Sequence, residues 1–316
     1  MISEAFLQEL EAAYEARDLQ KLQSFCSATY REINTSQAYS SVLMLSCNNI
    51  KHLSKIPTLK ADCIMLNLED GVSQEEKPFA LVLCAIFLSK LPKCEKKLVV
   101  RVNALNNGGY DEIAYLNQYM PDAVRVPKIK TPKEVEQVRA LLHEKTELHL
   151  SIETKEAWHN LKELKKDPMV KAYYLGILDL FADLGLPHSG IRMDNPTMLY
   201  ILPHFLLTCR SMNIKAVSFV FQEYKDTQTF TKWLELEKSI GFDAKGCISP
   251  LQVRLVNQIL KDGNEKELER AREIVRLFEE KKAEGITGFC DERYGFIDEP
   301  VYKGALSLLG KDHSSM

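Results

Sequence analysis

The chain has 316 residues, 45% hydrophobic and 27% charged, with 41 Lys and Arg against 44 Asp and Glu for a formal charge of -3. That composition suits a globular protein with a sizeable core and excludes a mainly disordered one. So even a charge balance makes no electrostatic case for nucleic acid, which favours a clustered basic face, and small-molecule chemistry is the better expectation.

Scattered spacing of the eight cysteines, with no C-x-x-C pair, reads as reduced and mostly buried thiols. The seven histidines form no H-x-x-x-H pattern, which leaves a zinc site little support. Apolar runs all fall short of a membrane span, and the opening MISEAFLQELEAAYEARD carries acids throughout instead of a basic and then apolar leader. The expectation is a cytoplasmic protein with neither a membrane nor a nucleic-acid partner.

In chain order, residues 3–31 carry Phe6, Leu7, Leu10 and Tyr14 at helical spacing and predict one or two amphipathic helices. Short apolar runs then alternate with helix-compatible stretches, the signature of βαβ units around a parallel sheet. The runs are 42–46, 63–68, 98–103, 123–127, 148–153, 172–178, 214–220 and 244–249. Eight such runs match the strand number of a closed (β/α)8 TIM barrel. An open doubly wound sheet would also alternate, but neither G-x-G-x-x-G nor G-x-x-x-x-G-K-[ST] follows any run. Beyond the eighth run, Asn264 and Glu267 read as a capping box for a helix with the stripe Leu268, Ala271, Val275 and Phe278. GITGFCDERYGFIDEP reads as a loop before a short last helix. The expected division is an N-terminal helical extension (1–40), a barrel (41–262) and a C-terminal helix with a lid segment (263–316).

Barrel active sites gather at the C-terminal ends of the strands, so polar residues there are the candidates. Asn67, Glu69 and Asp70 follow the second run, Arg101 and Asn103 lie in the third, Lys128 follows the fourth, Glu153 ends the fifth and Asp179 follows the sixth. Glu153 and Asp179 would end adjacent strands without a soft ligand nearby, a donor set that suits Mg2+ or Mn2+ completed by water and substrate oxygens. Arg101 sits inside the apolar run VVRVNAL. A guanidinium there needs an anion, either a substrate or a structural partner such as Glu69 or Asp70.

The ordered series LNLEDGV, VVRVNAL, VRVPKI, LSIET, LGILDLFADLG and GFDAKGCISPLQV resembles the citrate lyase β subunit family, within the HpcH/HpaI aldolase group, over residues 41–309. The resemblance implies a TIM barrel, Mg2+-dependent cleavage or formation of a carbon-carbon bond next to a thioester, and a homotrimer or homohexamer. By position it makes Glu153 and Asp179 the metal ligands and Arg101 the catalytic arginine. Glu69 and Asp70 become the acids that bond metal waters or substrate. YGFIDEPVYKGAL resembles the family's lid, in which Asp298 is an acid-base group given to a neighbouring subunit. Asp70, Lys128 and Ser249 are the expected substrate contacts. The chain departs from the family pattern at SCNN, where Asn49 replaces a basic residue often near coenzyme A phosphates, and at ISP, where Ser249 replaces histidine. Metal and arginine positions match while surrounding positions differ, which implies altered specificity. The expected partner is an oxo- or hydroxy-acid, free or as a coenzyme A or carrier-protein thioester. An aldolase acting on free pyruvate-like acids and a metal-retaining barrel without catalysis remain alternatives.

Overall fold

The computed structural model describes residues 2–27, 31–91 and 93–309, with the side chains of 262–265 also outside the described set. Two compact units divide at Asn257.

The first unit opens with helices α1 (Glu4–Glu15) and α2 (Leu19–Ser24), which begin at the side-chain caps Ser3 and Asp18. Arg31 then anchors the chain beneath the barrel. It is fully buried, pairs with the Asp122 carboxylate and donates to the Met120 and Leu91 carbonyls at 3.2 and 3.0 Å.

Eight parallel strands follow: β1 (Ser41–Ser46), β2 (Cys63–Asn67), β3 (Lys97–Arg101), β4 (Ala123–Val126), β5 (Glu147–Ile152), β6 (Val170–Leu175), β7 (Lys215–Val217) and β8 (Lys245–Cys247). They pair in the order β7-β6-β5-β4-β3-β2-β1-β8. The remaining seam is stitched where Ser218 N donates to the Ala244 carbonyl at 2.9 Å and Gly246 N to Ser218 O at 3.1 Å. The expected (β/α)8 barrel is therefore what forms, because apolar runs buried on both faces need helices outside and side chains filling the inside. Val42, Cys63, Met65, Val99, Ala123, Ala172, Tyr174 and Val217 make that interior.

Helices follow the strands in turn: α3 (Ile50–Leu53), α4 (Lys77–Lys90), α5 (Gly109–Leu116), α6 (Pro132–Leu141), α7 (Lys155–His159), α8 (Ile177–Asp183), α9 (Pro196–Ser211), α10 (Thr227–Ile240) and α11 (Pro250–Val256). The sixth, seventh and eighth strands are shorter than predicted. β6 stops at Leu175, before Gly176, and the expected strand end Ile177–Leu178 is already helical.

Toward the N-terminal ends of the strands, charges buried in the barrel wall come in pairs. Lys245 meets Glu237 of α10 at 2.6 Å, and the Lys97 ammonium meets Glu147 at 2.8 Å. Glu147 also holds His149 at 3.0 Å, and the His149 ring lies 3.3 Å from the Tyr174 hydroxyl. This column sits in the N-terminal half of the barrel, the end that serves stability in this fold.

In the second unit a π-helical stretch passes into α12 (Asp262–Ala283), followed by β9 (Gly288–Asp291), β10 (Gly295–Asp298) and α13 (Glu299–Leu308). The capping box predicted at Asn264 and Glu267 includes a side chain outside the described residues, and the backbone there is already helical. The predicted loop is instead an antiparallel hairpin. Asp291 Oδ1 accepts from Arg293 N and Tyr294 N, and Gly295 takes the left-handed conformation that closes it. Its Ile297 packs with Ala271, Val275 and Phe278 of α12 and Tyr302 of α13.

Arg31→Ala leaves Asp122 buried without its counter-charge, and removing one partner of such a pair costs about 3–5 kcal/mol. Urea denaturation should show a loss of that size; a change below about 1 kcal/mol would mean the 31–40 segment does not brace the barrel.

Candidate active site

The C-terminal ends of the strands open into a cleft of about 300 Å3 lined by Asp70, Arg101, Arg125, Glu153 and Asp179, with Met44, Phe219 and Val220 as its apolar wall.

β2 ends at Asn67, whose side chain folds over the following turn: Asn67 Nδ2 donates to the Asp70 carbonyl, and Gly71 takes φ +84°. That turn leaves the Glu69 carboxylate buried and that of Asp70 exposed. The two Glu69 oxygens have different partners: Oε2 pairs with the Arg101 guanidinium, and Oε1 lies 3.1 Å from the Lys128 ammonium. Arg101 also reaches Asp70 at 3.2 Å, while its Nε is buried without a hydrogen-bond partner among the described residues. Asn103 serves the scaffold. It donates to the Leu68 carbonyl at 3.1 Å and to Glu112, and it accepts from Lys77, tying the β2 and β3 ends to α4 and α5.

Glu153 follows β5 and is only 2% exposed, so its position is set by what packs on it. Lys128 N donates to Oε1 at 2.7 Å. To aim that amide, Lys128 adopts φ +52°, a left-handed conformation a residue with a long side chain seldom takes. On the other side lies the backbone of Gly176, where a Cβ would come within 2.5 Å of Glu153 Cβ and 2.6 Å of Oε2. Burial pushes the Glu153 carboxyl above its ordinary value, opposed by the Arg101 and Arg125 guanidiniums and reinforced by the Asp179 and Glu69 carboxylates. Asp179 stands in the first turn of α8, directly after the predicted strand end and four residues beyond the actual end of β6 at Leu175, exposed to the cleft with no donor engaging it among the described residues.

Among the described residues, no group of three or more His, Cys, Asp or Glu side chains converges to cage a metal. Two carboxylates with open positions are what remains. All-oxygen sites of few protein ligands suit a cation that keeps its waters and takes substrate oxygens. Glu153 Oε2 and Asp179, which no donor engages among the described residues, are the candidates for that donor set.

The other predicted site residues have different places. Ser249 caps α11, its Oγ accepting from Gln252 N at 3.2 Å, and Asn49 caps α3 by accepting from His52 N at 3.0 Å. Asp298 lies in the second unit at the end of β10, where Oδ1 accepts from Val301 N at 3.1 Å and caps α13.

Sequence reasoning missed Arg125. It is buried in β4 as the register partner of Arg101, donates from Nε to Ser151 Oγ at 2.8 Å and lies 4.4 Å from the Tyr174 ring centroid. Burial, aided by the neighbouring Arg101 charge, brings its guanidinium down to about 10. The signal was the one that revealed Arg101: an arginine inside an apolar run, here AVRV.

The HpcH/HpaI aldolase/citrate lyase sequence profile matches residues 40–250. The chain belongs to this family. It is 28% identical over 248 residues to the (3S)-malyl-CoA thioesterase of Cereibacter sphaeroides, covering 78% of this chain and 85% of that protein. It is 26% identical to citrate lyase subunit beta of Leuconostoc mesenteroides subsp. cremoris, covering 85% and 91%. Among solved structures, the fold resembles the CitE protein of Mycobacterium tuberculosis in complex with magnesium, acetoacetate and coenzyme A, with a TM-score of 0.66, 22% identity and coverage of 87% of this chain and 98% of that one. The family match spans the barrel strands and every candidate cleft residue named above, and it ends before Asp298.

Gly176→Ala should shift Glu153 as a whole, carboxylate included, at a cost of about 1–3 kcal/mol or more, since the added Cβ would meet Glu153 Cβ at 2.5 Å as well as Oε2 at 2.6 Å and no change of side-chain rotamer relieves the first contact. A crystal structure of the variant should show the Lys128 N to Glu153 bond lengthened or lost. An unmoved carboxylate would mean the Gly176 backbone yields instead.

Proposed function

We propose that this chain is a Mg2+-dependent carbon-carbon lyase that cleaves or forms the bond between an oxo- or hydroxy-acid and an acyl thioester. The observation that carries the reading is the cleft itself, where two oxygen-donor acids, Glu153 and Asp179, open beside the Glu69-Arg101 pair. Citrate lyase and citramalyl-CoA lyase homologues support the lyase class, and the magnesium in the complex of the related CitE protein supports the metal.

In this reading Glu153 and Asp179 hold the Mg2+. When bound, the ion supplies Lewis-acid polarisation of the acid's carbonyl or hydroxyl oxygen. Lys128 N fixes one Glu153 oxygen and so aims the other into the cleft. Arg101, steadied by Glu69, is the cation for the thioester oxygen that gains negative charge as the carbon-carbon bond breaks, and a preorganised donor is worth most where charge develops. Asp70 and Lys128 rim the cleft as contacts for the acid, and Ser249 is a contact beside its capping role. Asp298 is the acid-base group, brought by a neighbouring subunit in a trimer or hexamer, where exclusion of water would let a carboxylate move the proton.

The test combines a metal titration with a turnover panel. Mg2+ should bind wild type and be lost from both Glu153→Gln and Asp179→Asn, because one remaining carboxylate offsets too little of the ion's dehydration. Malyl, citramalyl and citryl thioesters should turn over with Mg2+, and faster than the free acids. Full metal affinity in either variant would refute the ligand pair. Faster turnover of free acids would favour the aldolase alternative, and tight binding without turnover a non-catalytic barrel.

A second check concerns the origin of the acid-base group. Mixed oligomers of Asp298→Asn and Arg101→Ala subunits should recover activity that neither has alone, since some sites then hold both intact residues. With mixed assembly verified, no recovery would place Asp298 outside the neighbour's site.

A further inference from the structure

Five Lys and Arg side chains are buried among the described residues: Arg31, Lys97, Arg101, Arg125 and Lys245. Four have a carboxylate partner: Arg31 with Asp122, Lys97 with Glu147, Arg101 with Glu69 and Lys245 with Glu237. Arg125 has no ion pair among the described residues. Its single hydrogen bond there is from Nε to Ser151 Oγ at 2.8 Å, so its two terminal nitrogens are unengaged, and it lines the cleft with Glu153 and Asp179.

Such an arrangement is unfavourable in the protein alone. A guanidinium does not shed its proton at neutral pH to escape burial, the Tyr174 face offers only weak compensation, and register places the like charge of Arg101 alongside; the Glu153 and Glu69 carboxylates attract it from a distance but form no ion pair with it among the described residues. The cost is recovered if an anion arrives from outside. The free edge of a guanidinium whose Nε is already engaged presents parallel N-H groups, the geometry that matches a carboxylate with two bonds. Ser151 and the Tyr174 ring fix the plane of that fork.

We propose that Arg125 is a specificity-determining residue that receives a second carboxylate on the acid half of the substrate, so that the cleft selects dicarboxylic 2-oxo or 2-hydroxy acids over their monocarboxylic counterparts. The assignment rests on the lyase reading for its substrate class: the 1-carboxylate and 2-oxygen belong to the metal held by Glu153 and Asp179, and the carboxylate at the far end of the acid belongs to Arg125.

The experiment is calorimetric titration of the full-length protein with malate and with lactate, which differ only by the carboxylate on C3, with and without Mg2+. Wild type should bind malate at least about tenfold more tightly than lactate, as a new charge-assisted contact of modest strength would give. In Arg125→Met the ratio should fall to near one. Its melting temperature should equal or exceed that of wild type without ligand, because an apolar side chain of similar length replaces a buried charge that forms no ion pair among the described residues; a residue that merely braced the barrel would lower it. Arg125→Lys keeps a charge but not the fork, and should lose most of the malate preference; it carries the comparison if the methionine variant does not fold. A preference surviving in either variant, or none in wild type, overturns the assignment. The lyase reading fails separately, if neither acid binds more tightly with Mg2+ than without. An Arg125-dependent preference for malate that persists without the metal would still support the carboxylate site.

Discussion

A carboxylate buried at the mouth of a closed barrel must be held by donors that cannot drift, and most of this cleft follows from how Glu153 meets that demand. Lys128 N is fixed by its place just past β4, so the bond it gives costs no side-chain entropy. The left-handed backbone at Lys128 is the strain accepted for that aim. Gly176 then closes the other side, because nothing larger fits against the carboxylate. With Glu153 placed, the guanidiniums of Arg101 and Arg125 oppose its neutralisation, and the Asp179 carboxylate beyond the adjacent strand promotes it.

The two ends of the barrel solve the problem of internal charge differently. Toward the N-terminal ends, Lys97, Glu147, His149 and Tyr174 form a run of contacts in which each charge finds its complement inside the protein. A larger cavity, about 690 Å3, lies beside that end against Ser36, Tyr39, Asp62 and Lys97, but its buried charge is already matched. Toward the mouth, Asp179, Arg125 and Arg101 Nε are left with unfilled bonding capacity among the described residues. Unfilled capacity in a buried setting is costly for a fold and useful for a ligand, which is why the smaller cleft is the candidate for chemistry.

The barrel was legible because its strands are buried on both faces and so spell near-continuous apolar runs, CIMLN and KLVVR among them, between helical stretches. Boundaries were less so. Ile177 and Leu178 look the same to hydropathy whether they end a strand or begin a helix, and only the chain's turn at Gly176 decides. The hairpin at Gly288–Asp298 was missed because four-residue strands rich in glycine and acids carry little alternation. Charged residues at the mouth could be picked out one by one, since an arginine or glutamate at the end of an apolar run is anomalous by itself. The division of labour among them could not. That Asn103 and Asn67 tie the scaffold, that Ser249 and Asn49 cap helices, and that Arg125 forms no ion pair among the described residues are facts of three-dimensional pairing rather than of composition.

Position 128 performs two separable tasks, one through its amide to Glu153 and one through its ammonium near Glu69. The first depends on backbone shape alone and restricts the alphabet of replacements. β-branched residues are effectively barred by the positive φ, whereas asparagine, aspartate and glycine enter that region readily. Asparagine, aspartate and glycine are short and uncharged or acidic, whereas a long cation such as the native lysine holds this conformation at a backbone cost. The positive charge at this edge of the cleft is therefore the strained choice, and replacing it with one of those three would relieve the backbone while erasing or reversing the charge. The bond to Glu153 belongs to the backbone amide and so does not depend on which side chain stands there.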